Sequence, residues 1–281
     1  MNSRLFYLLL FIFFLFSCSN QQESSHIDDD EQAHLAFKEN SKDKRGDANL
    51  AMVINDIPST MEIATILFES NSKFNKRLLN DLSNINNYNI IIDKSINLGI
   101  IATDLNYVIA YHEPNEVLKY LKSLKDMAEI INITGIIDQE LIQKVMRNVD
   151  NKDSLYILMF PVHLAIDKYL HDNEQANTAA LILAGGWIEG IYLSTQVLDN
   201  ELKNNTNFLI YEKISEQKNA VQNIIKLLSQ YENNPDKIIS LIHDLKEISA
   251  ILHRTNQDAV INHENMILIT EKIKKIRTNC I

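Results

Sequence analysis

Apolar residues recur along this chain at intervals of three and four, the spacing of a helix face, and almost nowhere at two. Leu98, Ile101, Leu105, Val108 and Ile109 share one such face. Val117, Leu121, Leu124, Ala128 and Ile131 form the next, beyond a turn signal at Pro114-Asn115. Ser59-Thr60-Met61-Glu62, directly after Pro58, has the capping-box pattern that opens a helix. Asp138 can cap a short helix reaching about Asn148, and Asp150 to Asp153 offers another start. Val221, Ile224, Ile225 and Leu228 continue the period. Ile238, Leu241, Ile242, Leu245 and Leu252 follow Pro235, and Met266, Ile269, Ile273 and Ile276 close the chain. Isoleucine and asparagine are abundant throughout, so β-branched content is a poor strand signal here and periodicity decides. Gly and Pro number only six and four. The pattern predicts an all-α domain over residues 58–281, a compact bundle of about eight to nine helices. No repeat of the roughly 34- or 40-residue solenoid kind is visible.

One stretch breaks the amphipathic rule. LILAGGWIEGIYL, Leu181 to Leu193, is apolar nearly all round and holds the only Trp and three of the glycines, Gly185, Gly186 and Gly190. A phosphate-cradling loop would need a strand before it and basic residues nearby, yet both flanks have helical composition. No Lys or Arg lies between Glu174 and Lys203. A membrane span needs about 20 apolar residues, whereas Ala179 to Leu193 is shorter and contains Glu189. A helix of about Glu174 to Val197, surrounded by other helices, fits best. Gly186 and Gly190 lie one turn apart on a face where a neighbouring backbone can approach closely.

Two acids sit badly in these apolar helices: Glu189, beside Trp187, Ile188 and Ile191, and Asp104 in IIATDLNYVIAY. An unpaired buried charge is costly, so each is either on an exposed strip or buried with a partner. Hydrogen bonds to Tyr, Asn or Lys of another helix are the plain reading. The functional alternative is a polar-lined pocket formed by Asp104, Tyr107, Trp187, Glu189 and Tyr192.

The N-terminus changes the picture most. MNSRLFYLLLFIFFLFSCSN has a short basic start at Arg4, an apolar run from Leu5 to Phe16 that is too short to span a bilayer, and then Ser17-Cys18. The pattern is similar to a bacterial lipobox. It implies a signal peptide of residues 1–17 and acyl chains on Cys18, through which the protein would be held to a membrane. Residues 18–57 are polar and acidic, with Asp28, Asp29, Asp30 and Glu31 in a row, and read as a flexible tether. The expected location is the outer membrane, facing the periplasm, with display on the cell surface as the alternative.

Chemistry is sparse. A net charge of −10 argues against nucleic acid as a partner. KIKKIR near the end is a short run of cations where a helix C-terminus favours them. Only Cys18 and Cys280 exist, so no disulfide framework is expected, and Cys280, next to the C-terminus, reads as an exposed and incidental thiol. His163, Asp167 and His171 share a helix face, but the two histidines stand about 12 Å apart along the axis and cannot meet on one ion. His243, His253 and His263 are scattered. No G-x-S-x-G elbow is present. No catalytic residue, cofactor or metal is expected.

NLGIIATDLNY, LKYLKSLKDMAEIINI, NVDNKDSLY and AALILAGGWIEGIYLSTQ, in that order over roughly residues 55–200, resemble an uncharacterised family of helical Bacteroidota lipoproteins. The resemblance implies a lipid-anchored all-α protein in a diderm cell envelope and carries over no activity, ligand or catalytic residue. Two functions stay open: a helical interaction or scaffold module that meets another envelope protein, and a binder or sensor of a small ligand with a pocket in the helical core. An exposed apolar groove would favour the first, and a closed cavity beside Trp187 and Glu189 the second.

Overall fold

The computed structural model describes residues 60–133, 135–172, 175–198, 205–230, 235–254 and 260–281. All lie in the second of the two units into which the chain divides, Met1–Lys44 and Arg45–Ile281. Cys18, the tether and Ser59 are outside the described residues.

Every regular element among the described residues is helical. In chain order they are α1 (Thr60–Glu69), two 3-10 turns (Lys76–Leu78 and Leu82–Asn87), α2 (Ile91–Ala110), α3 (Pro114–Ile130), α4 (Gln139–Arg147), α5 (Lys152–Asp172), α6 (Ala176–Gln196), α7 (Asn205–Ser215), α8 (Lys218–Leu228), α9 (Asp236–Leu252) and α10 (His263–Cys280). The all-α class agrees with the periodicity, but ten α-helices stand among the described residues where eight or nine were expected. The addition is α7. Its inward positions Ile210 and Ile214 are one pair, four apart, too brief a stripe to register in an eleven-residue segment beginning Asn-Thr-Asn.

Local chemistry sets the boundaries. Asp138 caps α4 by accepting from the Leu141 N–H at 2.7 Å, and Asn262 caps α10 by accepting from the Asn265 N–H at 2.9 Å. Pro114 opens α3 at the first helical position, where its missing N–H costs nothing. Helices α2 and α3 end alike. His112 and Asn132 take left-handed φ of 58° and 65°. The next residues then reach back, Glu113 N–H to Val108 O at 2.9 Å and Ile133 N–H to Ala128 O at 2.8 Å.

Helices α2 and α6 form the centre. They cross in extensive contact, and α1, α5 and α10 pack against both, with α3 on α2 and α7 and α8 on α6. Consequently α6 is buried on every side from Ala184 to Thr195, the all-round apolar helix of the sequence. The closest approach lies one residue away from the expected face. A Cβ at Gly185 would sit 1.9 Å from Ile96 O, and one at Gly99 would sit 2.0 Å from Ile182 O and 2.7 Å from Gly186 N. Gly185 and Gly99 therefore set the backbone crossing. Gly190 meets α1 instead, where a Cβ would lie 2.5 Å from Ile63 Cδ1. Across the same crossing, the Thr103 hydroxyl donates to Gly186 O at 3.2 Å.

One expectation about the C-terminus is overturned. Cys280 is buried, because the last turn of α10 folds onto α2: the Asn97 side-chain amide donates to Cys280 O at 2.6 Å. Burial pushes its thiol up to about 12. Arg277, the last cation of KIKKIR, lies in the last turn of α10, where a cation was expected. It is 7% exposed and points into the core.

Candidate functional site

The two misplaced acids meet. Asp104 on α2 and Glu189 on α6 are both completely buried, and their carboxyl groups interact directly. The partner that makes this possible comes from α10. Arg277 forms a two-pronged pair with Glu189, Nε to Oε2 at 2.6 Å and Nη2 to Oε1 at 2.9 Å. Nη2 also donates to Leu78 O at 2.9 Å, at the first 3-10 turn. The guanidinium lies over the Tyr192 ring, 4.2 Å from its centroid. Four separate segments, α2, α6, α10 and the chain between α1 and α2, thus converge on one guanidinium and two carboxyls.

Asparagines extend the network. The Asn80 N–H donates to Asp104 Oδ2 at 3.0 Å. The Asn80 side-chain amide donates to Tyr88 Oη at 2.9 Å and Asn97 Oδ1 at 3.2 Å, and its Oδ1 accepts from Asn84 at 2.9 Å. The Tyr120 hydroxyl, from α3, donates to Asn80 O at 2.8 Å. These bonds hold the irregular segment between α1 and α2 against the core, where its backbone groups would otherwise go unsatisfied.

Electrostatics follow from burial. Loss of solvent holds the Asp104 carboxyl well above the usual carboxylate range, and the neighbouring Glu189 charge pushes the same way. Burial raises Glu189 also, opposed by the charge and hydrogen bonds of Arg277. Burial likewise raises the phenols of Tyr88, Tyr107, Tyr120 and Tyr192, so they stay neutral.

The remaining residues of the sequence-derived set go elsewhere. Trp187 and Glu189, two apart on α6, face roughly opposite sides. The Trp187 indole donates to Gln217 Oε1 at 3.2 Å, just before α8. Tyr107 stacks on Phe74 at 5.5 Å between centroids and accepts from the Asn75 N–H at 3.2 Å. Asp104, Glu189 and Tyr192 gather around Arg277, Tyr107 borders the cluster on the Asp104 side with its hydroxyl bonded to Asn75, and Trp187 belongs to a flanking part of the core. Arg277 itself was missed. A signal was present: it lies four residues after Ile273 and between Ile276 and Cys280, on the buried stripe of α10.

Two surface features complete the inventory. A groove of about 330 Å³ lies between α4 and α5, with Leu141, Leu158, Pro161 and Val162 among its lining and Asp138, Glu140 and Lys144 along it. Ile157, in the same lining, is 61% exposed. On α9, His243, Asp244 and Glu247 bring one ligand atom each within 4.8 Å of the others. Glu247 is already paired with Lys272 at 2.8 Å. The side chains of His163, Asp167 and His171 lie outside the described residues.

No protein-family model, curated protein or solved structure matches the chain. No helix among the described residues is long and apolar enough to cross a membrane.

Proposed function

We propose that this chain is a lipid-anchored protein of a diderm cell envelope, outer-membrane attached through Cys18, whose helical domain is an interaction module. The observation that carries the second half is the groove between α4 and α5. It presents Ile157, Leu158, Leu141 and Pro161 on the outside of the domain with charged residues at the margin, the composition of a protein-docking surface. The pocket reading draws less support. The Arg277 guanidinium takes the place beside Glu189 that a small ligand would need.

The test is site-specific photocrosslinking in the native envelope. A photoreactive residue at Ile157 gives one discrete adduct, and the same residue at exposed Lys246 on α9 gives none. Adding Lys144→Glu at the groove margin weakens the Ile157 adduct. Equal labelling at both positions, or none at either, removes the interaction-module reading.

A further inference from the structure

Charge counting in the core does not balance. Asp104 and Glu189 bring two carboxyls into a site where neither is exposed, and Arg277 brings one positive charge. Both prongs of Arg277 are spent on Glu189. Asp104 receives one N–H, from Asn80 to Oδ2, while its Oδ1 has no N–H or O–H donor. What the Asp104 carboxyl does face is the Glu189 carboxyl. Burial disfavours two ionised carboxylates side by side, and a buried carboxyl that faces another carboxyl and has an oxygen with no donor is where a proton belongs.

We propose that the Asp104–Glu189 pair is a buried proton-binding site: one proton, carried on Asp104 and donated to Glu189, is bound at neutral pH and completes the neutral cluster that fastens α10 to α2 and α6. Arg277 is the one charged side chain that acts on the pair from outside it, and it pulls Asp104 the other way. Facing the pair are Tyr88 from the chain before α2, Tyr107 on α2, Tyr120 on α3, Tyr192 on α6 and Cys280 on α10, all held in their neutral forms by burial. The Lys237–Asp93 pair, 2.5 Å apart, joins α9 to α2 near Cys280 and is itself balanced.

The sign of the pH effect is fixed. Asp104 in the unfolded chain ionises in the ordinary carboxylate range, while in the folded chain it keeps its proton to higher pH. Between those two values the folded state therefore holds one more proton than the unfolded state. The contribution of that proton is complete below the unfolded value and is lost as pH rises towards the folded one. Asn at position 104 retains a donor for Glu189 and cannot ionise.

Unfolding equilibria of the full chain and of Asp104→Asn, compared from pH 5 to 7, test the site. The folded-to-unfolded ratio of the native chain, relative to the variant, falls about tenfold per pH unit, or about 1.4 kcal/mol. A ratio that does not change with pH overturns the proposal. If Asp104→Asn does not fold, carbon NMR of the native chain labelled at aspartate carboxyls decides instead. One aspartate that stays protonated at pH 7 upholds the site, and a set of aspartates all ionised by pH 6 refutes it.

Discussion

Arg277 is the residue on which most depends, because it compensates Glu189 and also holds Leu78 O. Arg277→Met removes the positive charge and leaves the Glu189 carboxylate buried without a compensating charge. A broken buried pair of this kind costs about 3–5 kcal/mol, and urea unfolding of the variant shows a loss of that size. Arg277→Lys keeps the charge but not the planar fork, and falls between the two. Cys280 makes the opposite kind of case. With its thiol raised to about 12, roughly one molecule in ten thousand is thiolate at pH 8. Iodoacetamide leaves Cys280 unmodified in the folded chain and labels it once urea unfolds the domain. Rapid labelling under native conditions would show that the last turn of α10 is open. Cys280 was misjudged from sequence because nearness to the chain end suggested exposure, whereas the stripe Ile269, Ile273, Ile276 and Cys280 runs through the final residues without a break.

At the scale of elements, the α2–α6 crossing sets the geometry, since it holds Asp104 against Glu189. Its tolerances differ from one glycine to the next. Gly185→Ala directs a methyl at the Ile96 carbonyl, a backbone atom that cannot step aside, and Gly99→Ala does the same to Ile182. Each lowers the melting temperature and costs about 1–3 kcal/mol, the usual range for overpacking. Gly190→Ala meets only the flexible end of Ile63, so its loss is smaller. A Gly185→Ala variant as stable as the native chain would mean that the two helices do not cross this closely. The crossing was half legible. The segment from about Glu174 to Val197 announced a crowded helix by its small residues and missing amphipathicity, and it is α6. The partner glycine, Gly99, stood alone in an ordinary-looking stripe, and no one-dimensional period encodes which of Gly185, Gly186 and Gly190 faces it. The stripes of α3 and α10 were readable because each buries one continuous face, whereas α2, like α6, is buried on nearly every side. The 3-10 turns were not, since asparagine side chains and tyrosine hydroxyls from distant positions hold that segment in place.

For the whole molecule, the helical core and the proposed attachment make separable demands. The core described between residues 60 and 281 closes on itself through α10, and none of its described helices is suited to span a bilayer. Membrane attachment therefore rests on the Leu15-Phe16-Ser17-Cys18 pattern alone. Several acyl chains on a single Cys anchor stably, because each buried CH₂ contributes about 0.8 kcal/mol. Cys18→Ser removes the only nucleophile to which those chains could be attached at that position. The expected outcome is a chain that incorporates no labelled fatty acid and either leaves the membrane fraction or accumulates unprocessed. Its helical content by circular dichroism and its urea midpoint stay those of the native domain, since Cys18 lies far outside the α2–α6–α10 core in sequence. Fatty-acid labelling and membrane retention that survive the substitution would show that the protein is held by another route, and the lipoprotein reading would fall while the fold and the buried cluster stood unchanged.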